Sequence, residues 1–169
     1  MKREKIRYRK IFDLVVKVIE PSIGIIKRAR KIETMPFKDI EKLINIFFPK
    51  TKHFETAKGF YKHVFVIHSD KKKLVLKIGR SRKDMRKDFV TYKKLPASIR
   101  NRYFAKIYWR RNLFMLQKYG KIVRVPDKTE AALKSIGNKY GLKDVRKANI
   151  LKFGKNFKIV DAERRRGHE

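Results

Sequence analysis

Apolar residues recur at helical spacing through the first part of the chain. Within residues 4–20 they stand at positions 11, 14, 15, 18 and 19, which predicts an amphipathic helix that ends before Pro21. A second helix is expected over 22–33 and a third over 37–48, where apolar side chains again share one face. The first part of the chain is therefore expected to be helical.

Beyond Pro49 the pattern changes to alternation and to short apolar runs, which are typical of strands. Strands are predicted over 60–67, 74–79, 104–109, 113–117, 150–153 and 157–160. Two helices are expected between them, over 83–95 and over 127–140, and in the second of these Asp127 and Glu130 have the spacing of a capping box. This order of strands and helices predicts an α+β fold.

The composition narrows the class of protein. A chain of 169 residues with 42% hydrophobic residues is expected to form one domain, or one domain with a small extension. It contains no cysteine, which excludes a disulfide framework and a thiolate zinc site, and its four histidines do not have metal-ligand spacing. The apolar runs are too short to cross a bilayer, and the N-terminus does not resemble a signal peptide. We therefore expect a cytoplasmic protein.

The excess of basic residues gives the most information about the binding partner of this protein. Lysine and arginine number 48 against 16 acidic residues, so the formal net charge is +32, and such a chain repels itself unless a polyanion neutralises it. A thermophile composition would explain many charges, but it predicts that glutamate rises together with lysine. An RNA or DNA partner is favoured, and an anionic membrane surface is the weaker alternative. The cations expected to grip phosphates are Lys27, Arg28, Arg30 and Lys31.

One motif near the C-terminus carries the chemistry. Asp144 is followed by Arg146 and Asn149, and after a short apolar hairpin by Asp161. Phosphoryl transfer from Mg-ATP needs such a set: the first aspartate accepts the proton of the substrate hydroxyl, while the asparagine and the second aspartate hold Mg²⁺. A basic residue at the position of Arg146 stabilises charge on the transferred group. The motif predicts an ATP-dependent phosphotransferase.

Residues 58–163 resemble the protein-kinase-like superfamily, in particular its small archaeal and atypical members. The resemblance implies a minimal kinase-like fold with an antiparallel N-lobe sheet and a truncated C-lobe. The expected domains are a basic helical extension over 1–49, an N-lobe with its hinge over 50–120, and a catalytic C-lobe over 121–169.

The same resemblance implies where ATP binds. Lys77, within Leu74-Val-Leu-Lys77-Ile, looks like the strand lysine that neutralises the ATP phosphates. Asp88 takes the place of the helix carboxylate that pairs with this lysine, although the family normally has Glu there. Gly59 would mark the loop that covers the phosphates, but a single glycine is equally consistent with an ordinary turn. The segment that contains Met115 and Gln117 resembles the hinge whose backbone binds adenine.

Two departures from the family pattern direct the choice of substrate. Leu142-Lys143 stands where the family has His-Arg, and Ala162-Glu163 follows Asp161. Residues 162–169 are all that follow Asp161, so we expect no platform for an extended peptide and a structured polyanion as substrate. The run of Arg164, Arg165 and Arg166 would meet the phosphate backbone there, or would simply be a solvated tail.

These features together resemble the archaeal RNA kinases that phosphorylate a ribose 2′-hydroxyl of tRNA. The resemblance implies ATP and Mg²⁺ as cofactors, an internal uridine of the tRNA variable loop as acceptor, and a role in stabilising tRNA in a thermophile. Two alternatives stay open. One is an atypical protein kinase that acts on a ribosomal or tRNA-modification partner, and the other is a noncatalytic RNA-binding domain on a kinase scaffold.

Overall fold

The computed structural model describes residues 37–53, 62–69, 72–79 and 82–164, together with the single positions 9, 13 and 17. The helices are α1 (Phe37–Phe47), α2 (Arg82–Lys94), α3 (Ala97–Tyr103) and α4 (Asp127–Lys139). The strands are β1 (Lys52–His53), β2 (Lys62–Ser69), β3 (Lys72–Gly79), β4 (Ile107–Arg111), β5 (Phe114–Lys118), β6 (Leu142–Lys143), β7 (Ile150–Phe153), β8 (Asn156–Ile159) and β9 (Glu163–Arg164). The described chain is therefore α+β.

Five strands form one antiparallel sheet in the order β1-β2-β3-β5-β4. Because side chains alternate across a strand, directly paired residues share a face. Leu76 of β3 pairs with Phe65 of β2 and with Leu116 of β5, and all three are buried. They belong to the core cluster of this sheet.

Helix α1 completes that core. Ile40 and Ile44 are one helical turn apart, both are almost fully buried, and they pack in the same cluster as the sheet residues. The side-chain carbonyl of Asn45 accepts a hydrogen bond of 2.8 Å from the backbone N–H of Thr51, which fixes the turn from α1 into β1. The helix is thus part of the sheet's own core and is not a separate extension.

The chain divides into two compact units whose limits differ from the expected domains. The first unit comprises Met1–Met85 and Ile107–Lys118, and the second comprises Arg86–Lys106 and Tyr119–Glu169. The expected boundaries were at 49 and 120, whereas α1 packs on the sheet and residues 86–106 belong with the C-terminal elements.

The second unit holds most of α2, α3, α4 and two small two-stranded sheets. Strands β7 and β8 pair directly, with Ile150 opposite Ile159, and β6 pairs with β9, with Lys143 opposite Glu163. The backbone N–H of Ala105 donates to the carbonyl of Ile159, which joins the end of α3 to β8. These pairings set the surroundings of the catalytic motif.

Most predicted elements are confirmed, with shifts of one or two residues at their ends. Positions 9, 13 and 17 of the first predicted helix are helical, whereas the second predicted helix, over 22–33, lies outside the described residues. The predicted strand over 104–109 is wrong at its start, because Phe104 makes only an isolated bridge and β4 begins at Ile107. Helix α3 was not expected. Within the described part of the chain, every helix is too short or too polar to traverse a bilayer.

Candidate functional site

The predicted catalytic motif forms one hydrogen-bonded cluster. Asp144 follows β6, and a short 3-10 helix (Lys147–Asn149) brings Asn149 back to it. The Asn149 side-chain N–H group donates to the backbone carbonyl of Asp144 at 2.9 Å and to its carboxylate at 3.2 Å. The Nε of Arg146 lies 3.1 Å from the other carboxylate oxygen of Asp144. The residues predicted to act together therefore do lie together.

The backbone of Asp144 has an unusual conformation. Its φ is +68°, a left-handed value that non-glycine residues adopt rarely and that Asp and Asn tolerate best. The bond from Asn149 to the Asp144 carbonyl holds this turn from the other side of the loop. The Asp144 side chain remains 42% exposed, so its carboxylate can meet a solvent-borne hydroxyl group.

Backbone pairing brings Asp161 beside this loop. The N–H of Val160 donates to the carbonyl of Asn149 at 2.9 Å, and Asp161 is the next residue. Two residues further on, Glu163 pairs with Lys143, which immediately precedes Asp144. The segment with Asp161 is thus held between the two ends of the loop that carries Asp144 and Asn149, and Asp161 is half-buried.

The side chains of Asn149 and Asp161 suit Mg²⁺ only if ATP supplies further ligands. The Asn149 bonds to Asp144 use its amide nitrogen, and its carbonyl oxygen is the atom that a cation needs. Mg²⁺ is commonly held by one or two carboxylates together with phosphate oxygens of the substrate. Among the described residues there is no group of three or more His, Cys, Asp or Glu that could hold a metal alone. An Asn149–Asp161 pair fits Mg-ATP, and it does not fit a resident metal such as zinc.

Helix α4 anchors the catalytic loop through acidic side chains. A carboxylate oxygen of Glu130 accepts the backbone N–H of Lys147 at 3.1 Å. The Lys147 ammonium contacts Asp127 directly and lies 4.0 Å from the second oxygen of Glu130. The predicted capping box is wrong: Pro126 is the N-cap, it makes no side-chain cap hydrogen bond, and both acids bind Lys147. Glu130 therefore holds the backbone of the loop, whereas Asp127 adds only an exposed ion pair.

The ion pair of Asp127 and Lys147 is charged throughout the neutral pH range. Lys147 lowers the pKa of Asp127, mainly through their hydrogen bond, and the same bond raises the pKa of Lys147. The stabilisation by Asp127 is present above its unfolded pKa and is lost as the pH falls through its lowered folded pKa. The stabilisation by Lys147 is present below its unfolded pKa and is lost as the pH rises through its raised folded pKa. Both groups are solvent-exposed, so the pair contributes little.

Replacement of Glu130 by Ala should loosen the loop that carries Asp144 and slow a phosphate transfer that depends on it. The variant removes the acceptor for the Lys147 N–H, whereas Glu130→Gln keeps a carbonyl oxygen there. Loss of a hydrogen bond to a charged acceptor is worth about 1.5–3 kcal/mol, so we expect a turnover roughly tenfold lower for Glu130→Ala and a smaller loss for Glu130→Gln. The matched control is Asp127→Ala, because this side chain is 90% exposed. Equal losses in Glu130→Ala and Asp127→Ala would contradict the anchoring role.

In the first unit, Lys77 is a buried cation in the middle of the sheet. It is only 6% exposed, and it lies on β3 between Val64 of β2 and Met115 of β5. Its face is opposite to the one that packs on α1, because Leu76 and Ile78 on either side of it point into that core. A buried ammonium group is costly, so a lysine in this place needs a reason.

Met115 and Gln117 lie on the same face as Lys77, and their role in adenine binding stays a prediction. They are inside β5, and β5 pairs with β3 on one side and with β4 on the other. The peptide groups of a strand in this position are hydrogen-bonded in the two ladders. The chain leaves the sheet after Lys118.

The structure places the remaining predicted residues as follows. Asp88 lies in α2, is half-buried, and has one buried carboxylate oxygen. Arg164 belongs to β9, of which only the backbone is described. The other predicted ATP-loop and RNA-binding residues lie outside the described residues: Gly59, Lys27, Arg28, Arg30, Lys31, Arg165 and Arg166.

Sequence reasoning missed the contacts that Glu130 and Asp127 make with Lys147. The available signal was their closeness in a chain with only 16 acidic residues. Glu130 and Lys147 are 17 positions apart, so no local pattern joins them.

Comparison with known proteins adds no relative. The sequence matches no protein-family model, and a search of curated proteins finds no match.

Proposed function

We propose that this protein is an ATP-dependent RNA kinase that transfers the γ-phosphate to a ribose 2′-hydroxyl of tRNA. The observation that carries the proposal is the cluster of Asp144, Arg146 and Asn149, with Asp161 held beside it by backbone pairing. The five-stranded antiparallel sheet would correspond to a kinase-like N-lobe, and the second unit to a shortened C-lobe. The finer fold assignment is part of the proposal.

The cluster assigns a role to each side chain. Asp144 orients the acceptor hydroxyl and takes its proton as the hydroxyl oxygen bonds to the γ-phosphorus. The bond from that phosphorus to the bridging oxygen breaks, and ADP leaves. Arg146, fixed by its contact with Asp144, stabilises charge on the transferred group. Asn149 and Asp161 would hold Mg²⁺, which when bound neutralises charge on the phosphates.

Lys77 is assigned to the ATP phosphates because it combines burial with a fixed position. Its strand neighbours Val64 and Met115 lie in register on both sides, so its ammonium group is held by a rigid element. Asp88 keeps its proposed role in ATP binding.

The RNA part of the proposal rests on charge. The net charge of +32 suits a substrate that is itself a polyanion, and a peptide substrate offers no comparable neutralisation. The choice of tRNA and of the 2′-hydroxyl comes from the resemblance to archaeal RNA kinases. An atypical protein kinase remains the second candidate, and the same experiment separates the two.

The decisive experiment offers γ-labelled ATP with bulk tRNA and with a generic protein substrate. We expect label in the tRNA alone, and we expect it to survive removal of the terminal phosphates, because an internal 2′-phosphate is not an end group. Label in protein alone would identify a protein kinase. Tight tRNA binding without any transfer would identify a noncatalytic RNA-binding protein.

A further inference from the structure

A groove of about 660 Å³ crosses the second unit between α3, α4 and the turn from β7 to β8. Its lining includes four cationic side chains, and among the described residues that line it none is acidic. The cations are Arg102, Lys128, Lys155 and Lys158. In a protein that needs a polyanion to neutralise it, a concave surface with cations alone is a candidate binding site.

The side chains of the groove divide into a fixed base and an exposed rim. Leu133 is buried and Tyr103 and Phe157 are half-buried, so they form an apolar and aromatic base. Arg102 holds its guanidinium 5.2 Å from the centre of the Tyr103 ring, which orients this cation.

Lys158 differs from the other three cations. Its ammonium donates to the backbone carbonyl of Asn101, so it ties β8 to α3 and shapes the wall of the groove. Arg102, Lys128 and Lys155 are exposed and form the rim. The groove therefore presents three cations at the edge of a partly aromatic surface.

Helix α4 separates this groove from the catalytic loop. Lys128 and Ala132 line the groove, whereas Asp127 and Glu130 bind Lys147 of the loop. At about 100° per residue these two pairs point to largely opposite sides of the helix, and a helix is about 10 Å across. A ligand in the groove would thus lie on the far side of α4 from Asp144.

We propose that this groove binds the sugar-phosphate backbone of a structured RNA at a point remote from the reacting nucleotide. Phosphates would contact the three rim cations, and an unpaired base could stack on the aromatic base of the groove. This inference rests on the proposed function for its choice of RNA. It deepens that function, because a second contact behind α4 selects a large folded RNA over a nucleoside or a short strand.

The test compares two triple variants with the same change in charge. One variant combines Arg102→Gln, Lys128→Gln and Lys155→Gln. The control combines Arg111→Gln, Lys42→Gln and Lys52→Gln, which are exposed residues of the first unit. The affinity for bulk tRNA is measured by fluorescence anisotropy across a series of salt concentrations, and the melting temperature confirms that both variants fold.

Each phosphate contact contributes about 0.7–0.9 to the slope of log affinity against log salt. We expect the groove variant to reduce that slope by about 2–3, and the control to reduce it by less than about 1. Equal reductions in both variants would overturn the proposal, because they would mean that only total charge matters. An unchanged slope in the groove variant would overturn it as well.

Two further readouts keep this inference separate from the proposed function. In phosphate transfer, the groove variant should raise KM for tRNA and leave kcat nearly unchanged, since Asp144 is untouched. If neither the unchanged protein nor either triple variant transfers phosphate, the kinase proposal fails. A change in the salt dependence of tRNA affinity that is confined to the groove variant would still support RNA binding by the groove. Competition by poly-glutamate that equals competition by RNA would assign the groove to an acidic protein partner and overturn the RNA assignment.

Discussion

Replacement of Asp161 by Asn should abolish phosphate transfer and leave tRNA affinity unchanged. The proposed metal site has only this carboxylate and the neutral Asn149 carbonyl from the protein, so a neutral side chain at position 161 removes the negative charge that the protein itself gives to the metal. A metal that neutralises phosphate charge is worth several kcal/mol, and each 1.4 kcal/mol is about tenfold in rate, so we expect a loss of roughly 10³-fold. Initial rates at saturating ATP measure it.

Asp144→Asn should act through a different step and to a similar extent. Asparagine tolerates the positive φ of this position, so the loop should keep its shape while the proton acceptor is lost. Removal of a general base lowers the rate by about 10²–10⁴-fold. Addition of Mn²⁺ should restore some activity to Asp161→Asn and none to Asp144→Asn, because only the first variant is impaired in metal binding.

The control for both variants is Asp13→Asn. It makes the same change in net charge at an exposed position whose carboxylate lies 3.7 Å from Arg9. Its transfer rate should equal that of the unchanged protein. Near-normal turnover in Asp161→Asn would show that the metal assignment is wrong, even if Asp144→Asn were inactive.

Lys77→Met should impair the use of ATP and spare RNA binding. Methionine fills a similar apolar volume within β3 but lacks the cation that the proposal gives to the phosphates. We expect kcat/KM for ATP to fall by about 10²–10³-fold, which corresponds to the loss of a charged contact of about 3–4 kcal/mol. Initial rates over a series of ATP concentrations, with tRNA affinity measured alongside, would show this.

Lys73→Met provides the matched comparison. It lies four residues earlier on the same strand and on the same face, but it is exposed. The same chemical change there should leave kcat/KM for ATP within about twofold of normal. Thermal melts would show that both lysine variants are folded. If their kcat/KM values for ATP were then equal, Lys77 would contribute to the packing of the sheet and not to nucleotide binding.

Local periodicity predicted the longer elements well. Helix α1 has apolar residues one turn apart, and β2 and β3 have apolar runs, so interactions between near neighbours in the chain determine all three. Helix α3 was not predicted from the sequence, because it has no buried residue and thus no apolar stripe. Strands β1, β6 and β9 have two residues each, which is too short for any period to register.

The same distinction between contacts of near neighbours and contacts of distant residues applies to the candidate site. The contact of Asp144 with Asn149 spans five residues, and a loop of that length can be anticipated from spacing. The position of Met115 and Gln117 in a central strand could not be anticipated from the sequence. Whether a strand is central or at an edge depends on which other strands pair with it. The sequence-based hinge was therefore assigned to residues whose peptide groups are already occupied.

The sequence by itself determined the α+β composition, the excess of cations and the local order of Asp144, Arg146, Asn149 and Asp161, because each depends on composition or on neighbours a few residues apart. Tertiary structure alone decided that Glu130 holds the catalytic loop, that Lys77 is buried, and that three rim cations share a groove. Those contacts join residues distant in the chain, and only the burial of apolar surface in each unit brings them together.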